Sequence, residues 1–275
     1  MRARELHPKN NGQIIIKPRW WALTLAVVLL LTGGHQARAA GDEVKYCIEG
    51  NYPPFSAITP SGKITGFDVD MANSLITTMG KKPVMVKMEW DGMIPALLAK
   101  KCDAIVSSMA VTADRKKKID FTEQYYGATP RQFVGKKAAK LNDDHQTMKD
   151  KVVGVQRATI DQEYITKVYP EAKIRLYAAQ EEANADLIAG RVDAIFQDSV
   201  NIIELLKTPQ AAGLAIFGKD HYDPIFGDGA GIGIRKEDKD LRLAFNKAIK
   251  DIRKSGEYKK INDKYFTFDI YSPGS

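Results

Sequence analysis

The stretches ALLAKKCDAIVSS at 96–108 and LIAGRVDAIFQDS at 187–199 share one plan: helical pattern, short basic turn, Asp-Ala-Ile, then a strand end bearing hydroxyls or carboxylates. A helix that feeds a short apolar strand is the repeating unit of layered α/β proteins. Its recurrence about ninety residues later points to two similar α/β halves. Outward from these anchors, strand patterns fall at 44–49, 83–88, 132–135, 152–156, 174–177 and 231–235, with 103–107 and 193–196 at the anchors themselves. Helical patterns fall at 68–80, 92–100, 159–168, 181–190, 200–206, 238–254 and 256–265, and Gly80, Gly190 and Gly256 suit helix ends. Paired halves of this kind place a ligand in the cleft at the carboxyl ends of their strands.

The formal charge of +7 and pI near 9.1 raise the question of an anionic partner. The charge is concentrated at the start. Arg2, Arg4, Lys9, Lys17 and Arg19 stand against the single acid Glu5, and the apolar run WWALTLAVVLLLT follows at 20–32. A basic segment before a short apolar core is the pattern of a secretory signal peptide. The run is too short for the roughly 20 residues of a membrane span. Ala37-Arg38-Ala39 supplies the small-x-small pattern that places cleavage after Ala39, and no lipobox cysteine ends the core. Residues 1–39 hold six of the 41 Lys and Arg and one of the 34 acids, so the remainder carries +2. No nucleic-acid motif replaces the lost basic excess.

Cys47 and Cys102 both remain after that cleavage. With the strands around them read as parallel neighbours, Glu49 beside Ser107, Cys102 lies about three residues or roughly 10 Å below Cys47. That exceeds the ~7 Å Cα limit for a bridge, so two free thiols are expected.

Four strand ends carry chemistry. The segment EGNYPPFS at 49–56 holds a carboxylate, Glu49, and a rigid aromatic turn around Tyr52; it reads equally as ordinary turn architecture. In SSMAVTADR at 107–115, two hydroxyls, helix-start amides and the Arg115 guanidinium form a carboxylate receptor. In GVQRATI at 154–160, Thr159 is a natural N-cap. Asp198, in FQDS at 196–199, either caps the next helix or pairs with an ammonium group opposite Arg115.

These segments, with YPPFSAITPSGKITGFDVDMANSL, IDFTEQYY, AGRVDAIFQDS, GAGIGIRKED and YKKINDKYFTFDIY, resemble the periplasmic amino-acid-binding proteins of ABC importers. The likeness spans 43–271 and is nearest to the lysine, arginine, ornithine and histidine branch. It implies an α/β fold of two lobes joined by two crossing strands, near 127–129 and 226–231. Lobe one would comprise 40–127 plus 231–275, and lobe two 128–230. It also implies a periplasmic monomer, without metal or cofactor, that delivers a cationic L-amino acid to an inner-membrane ABC permease.

By the same resemblance, Arg115 clamps the ligand carboxylate with amides near Ala110 and Thr159, and Asp198 with Ser108 holds the ammonium. Tyr52 and Trp90 sandwich the side chain, Glu49 with the Ser107 region meets its distal charge, and Gln156 lines the pocket. Ala110 and Ile160 stand where relatives carry hydroxyls, which leaves head-group contacts to the backbone. Strand alternation turns Arg157 away from the ligand; an inward Arg157 would instead suit an opine conjugate of arginine. A dehydratase-type enzyme on this scaffold is the remaining alternative. It is disfavoured because only His145 and His221 follow residue 39, and no Ser/His/Asp or metal spacing exists.

Overall fold

In a computed structural model of the chain, residues 42–272 are described; the segment read as a signal peptide and the cleavage expected after Ala39 lie outside them. The first elements are β1 (Glu43–Ile48), β2 (Asn51–Tyr52), β3 (Ser56–Ile58), β4 (Ile64–Thr65), α1 (Phe67–Thr78), β5 (Lys82–Lys87), α2 (Met93–Leu98), β6 (Ala104–Ile105), α3 (Ala113–Lys118) and β7 (Asp120–Gly127). There follow β8 (Arg131–Lys136), α4 (His145–Met148), β9 (Val152–Gln156), α5 (Ile160–Val168), β10 (Lys173–Tyr177), α6 (Gln180–Ala189), β11 (Ala194–Asp198), α7 (Ser199–Leu206) and β12 (Leu214–His221). The chain then adds β13 (Gly229–Ile234), α8 (Lys239–Ser255) and α9 (Glu257–Tyr265).

Two five-stranded sheets result, ordered β5-β1-β6-β13-β7 and β10-β9-β11-β8-β12, with β2-β3-β4 as a small third sheet. The chain passes from the first sheet to the second between β7 and β8, and returns between β12 and β13. Each large sheet is covered on both faces, because alternate residues of a strand point to opposite sides. On β1, Tyr46 and Ile48 join α1, α8 and α9, whereas Cys47 packs with Met93 and Leu97 of α2. In the second sheet Phe133, Val153 and Phe196 meet α5, while Val134 and Ile195 meet α6 and α7. Burial on both faces explains why these strands read as short apolar runs.

Strand β12 has no counterpart among the sequence-predicted strands. It is an edge strand paired only to β8, exposed over much of its length, and its register shifts between Phe217 and His221 around Gly218. With four apolar residues followed by Gly218, Lys219, Asp220 and His221, LAIFGKDH carries no period-2 signal.

The cysteine expectation is corrected: Cys47 and Cys102 form a disulfide, with Cα atoms 5.8 Å apart. The expected register itself holds, since Cys47 pairs with Ile105. However, β6 is only two residues long, and Cys102 lies in the bend before it rather than on an extended strand, which brings it back under Cys47. The bridge closes a separation of 55 residues, for which the chain-entropy account gives about 4 kcal/mol of stabilisation. The double substitution Cys47→Ser, Cys102→Ser is therefore expected to lower the unfolding free energy by about 2–4 kcal/mol in denaturant titration. A loss below about 1 kcal/mol would show that the unbridged chain is already restrained there.

Candidate functional site

The carboxyl ends of β1, β6 and β9 converge on a narrow cavity lined by Glu49, Tyr52, Trp90, Ser107, Ser108, Ala110, Arg115, Gln156 and Thr159, together with Arg131, Ile160 and Asp161. Nine of the ten sequence-predicted site residues thus share one wall system. The tenth, Asp198, lines an adjoining hollow that shares Ser108, Ala110 and Arg131 with the cavity.

Glu49 follows β1 and is 3% exposed. Its Oε1 accepts a 2.6 Å hydrogen bond from Gln156 Nε2, and its amide donates to Ser107 Oγ at 3.3 Å. Burial pushes the Glu49 carboxyl up to about 7, against the lowering effect of the Gln156 bond. Tyr52 stands on β2 with its ring stacked on Phe55 at 5.7 Å. Trp90, just before α2, donates from Nε1 to the Ala158 carbonyl at 3.0 Å, and the Arg115 guanidinium lies 5.1 Å from its ring centre.

Arg115 sits in the first turn of α3, whose N-cap Thr112 accepts the Arg115 amide. One guanidinium nitrogen donates to the Ala110 carbonyl at 2.9 Å. Burial lowers the Arg115 pKa to about 10, and Asp161 opposes that drop. Thr159 caps α5, accepting from the Gln162 amide while donating to the Gln156 carbonyl, so its hydroxyl is held by the backbone around it. The capping role and the cavity position coincide. Asp198 likewise caps α7, through Oδ1 and the Val200 amide. Its other oxygen accepts from Thr129 Oγ1 at 2.5 Å and from Arg131 Nη1 at 2.6 Å.

Three residues of this region were absent from the sequence expectation. Arg131, at the start of β8, bridges Asp198 and Asp161, the latter at 2.9 Å from Nε. Burial disfavours its charge, but the two carboxylates outweigh burial and hold the guanidinium firmly protonated. Asp161 is raised to about 6 by burial, with Arg131 pulling the other way. Asp68, behind the cavity in the first turn of α1, is raised to about 7 by burial. The available signal was modest: a basic residue opening the apolar strand RQFVG, and acids in first helical turns, where the helix dipole alone accounts for them.

Polar contacts span the cleft between the two sheets. Besides Gln156 to Glu49 and Trp90 to Ala158, Arg157 pairs with Asp91 at 2.5 Å and Asn201 Nδ2 donates to the Pro53 carbonyl at 2.5 Å. Arg157 lies outside the cavity lining, half-exposed at the rim.

Residues 44–268 match the bacterial extracellular solute-binding proteins, family 3. An L-arginine-binding protein of Pseudomonas aeruginosa is 45% identical over 254 residues, covering 91% of this chain and 96% of that protein. The lysine/arginine/ornithine-binding periplasmic protein of Escherichia coli is 36% identical, covering 91% and 97%. Among solved structures, a Salmonella typhimurium periplasmic binding protein of high arginine specificity superposes with a TM-score of 0.77 at 28% identity, covering 82% of this chain and 99% of that one. The two-sheet architecture, the cleft at the strand ends and the match over nearly all described residues agree: the chain belongs to the bacterial extracellular solute-binding proteins, family 3.

Proposed function

We propose that the protein captures a cationic L-amino acid in the periplasm, as a monomer without catalytic activity, and delivers it to an inner-membrane ABC permease. The observation that carries this reading is the charge of the site: among the described residues that line it, the acids Glu49, Asp161 and Asp198 stand against the bases Arg115 and Arg131. Three carboxylates against two guanidiniums leave a deficit of one positive charge when all are ionised. A ligand of net charge +1 fills it, and in a buried site such balance matters strongly.

Within this reading Arg115 receives the ligand carboxylate and Glu49 the distal cation. Tyr52 and Trp90 flank the aliphatic stem, a cation–π arrangement worth roughly 0.5–2 kcal/mol. The ammonium goes to the Ser108 side, near Asp198. Because Arg131 already occupies one Asp198 oxygen, Asp198 acts there as part of a paired group rather than alone. Lobe one, 40–127 plus 231–275, and lobe two, 128–230, close over the ligand about the two crossings, with cleavage after Ala39 releasing the protein. The rim position of Arg157 favours a simple amino acid over an opine conjugate of arginine.

A thermal-shift panel tests the reading. Arginine, lysine, ornithine or histidine is expected to raise the melting temperature, since ligand at 100 times its Kd adds about 2.7 kcal/mol. Stabilisation by glutamate or glutamine but by no cation overturns the charge argument. Turnover of prephenate or arogenate overturns the non-catalytic assignment.

A further inference from the structure

Ser108 meets both the main cavity and the hollow containing Asp198, and its backbone lies at φ 50°, outside the range that most residues adopt. It carries two protons, and both are spent behind the cavity. The amide donates to Tyr125 Oη at 3.0 Å, and the hydroxyl donates to Asp68 Oδ2 at 2.8 Å. The Tyr125 phenol in turn gives its own proton to Asp68 Oδ1 at 2.6 Å. Tyr125 is fixed behind this set: its ring stacks on Phe67 at 6.3 Å, and its carbonyl accepts from Tyr258 Oη at 2.8 Å.

Asp68 is 1% exposed, and among the described residues no Lys or Arg donates to it. A buried carboxylate without a cation is costly, so its two short bonds from neutral hydroxyls call for a reason. Its position is built in by the backbone. The Asp68 amide donates to the Phe55 carbonyl at 2.8 Å, and a Cβ at Gly66 would collide with that same carbonyl. Helix α1 therefore starts hard against the 53–56 turn, with its second residue aimed at Ser108.

A serine with both protons committed can offer the cavity only oxygen lone pairs. We propose that Asp68 is a positioning residue: by accepting the protons of Ser108 and Tyr125, it strips the Ser108 edge of the cavity of donors. That edge then takes the ligand's ammonium and rejects its carboxylate, so Asp68 sets which way round an amino acid enters. The inference rests on the amino-acid reading above and adds the determinant of ligand polarity.

The test is calorimetry on the full chain with two probes, L-arginine and 5-guanidinopentanoate, which is arginine without its α-amino group. In Asp68→Asn the new amide can keep the Tyr125 bond but must donate toward Ser108, which turns the serine proton into the cavity. L-Arginine is expected to bind at least about tenfold more weakly, the scale of a lost charge-assisted bond, while 5-guanidinopentanoate changes by less than about threefold. Ser108→Ala should show the same selectivity, and the double variant no further loss.

Equal weakening of both probes, or an unchanged L-arginine affinity, overturns the proposal while leaving the function intact. If Asp68→Asn does not fold, as read by thermal unfolding, Ser108→Ala decides alone, and a loss that is equal for both probes again overturns it. Failure of the unsubstituted protein to bind L-arginine, lysine, ornithine or histidine overturns the function and this inference together.

Discussion

Arg115→Ala is expected to weaken L-arginine binding by roughly 3–5 kcal/mol, between two and four orders of magnitude in Kd. The loss is large because truncation would leave the ligand carboxylate in a buried site, where an unpaired charge costs most. It also removes the cation over Trp90, loosening the wall that the same tryptophan forms with Ala158. Arg115→Lys separates charge from shape. It restores one positive charge but cannot present the planar fork, so it is expected to recover only part of the affinity. Without ligand, Arg115→Ala should change thermal stability little, because among the described residues the guanidinium donates a hydrogen bond to the Ala110 carbonyl alone. Calorimetry decides the matter, and retention of affinity within tenfold would falsify the assigned polarity.

The second large effect belongs to Glu49. Glu49→Gln is expected to weaken L-arginine by roughly 1.5–3 kcal/mol, the range of a hydrogen bond to a charged group, and to leave a neutral amino acid such as L-glutamine within about threefold. A pH series sharpens this. Burial raises unliganded Glu49 to about 7, and only its ionised form pairs with a cation. Below pH 7 a proton must leave before the ligand binds, so affinity falls as pH falls, approaching about tenfold per unit from this group. Above pH 7 the dependence on Glu49 flattens. Glu49→Gln removes this component and leaves what Asp68, at about 7, and Asp161, at about 6, contribute. Identical slopes for the two proteins, or equal losses of arginine and glutamine, would assign the distal charge elsewhere.

Some of the residues that sequence reasoning reached carry a local signature, while others, such as Trp90, came only through the family resemblance. Thr159 and Asp198 cap the helices that follow them, and the strand ends at Glu49, Ser107 and Gln156 are marked by the change from apolar run to polar turn. Such signals depend on a few neighbours along the chain. Arg131, Asp161 and Asp68 matter through partners 30 to 67 residues away, as in the Arg131 bonds to Asp161 and Asp198. No periodicity encodes such pairings. The disulfide shows the same boundary from the other side: the register of β1 against β6 was legible, but the bend at Cys102 depends on how α2 ends, which strand geometry alone does not describe.

The placement of β13 governs the order in which the molecule can be assembled. This strand lies between β6 and β7, yet it is made only after the whole second sheet. At synthesis rates of about 5–20 residues per second, the roughly 100 residues separating β7 from β13 keep both edges waiting for about 5–20 s. During that interval the second sheet, contiguous from β8 to β12, can form by itself. A nascent chain interrupted before Gly229 therefore holds one finished sheet and one with two bare edges, the kind of surface that recruits chaperones or seeds aggregation. Completion of the first sheet is thus a late event, triggered by the last sixth of the chain.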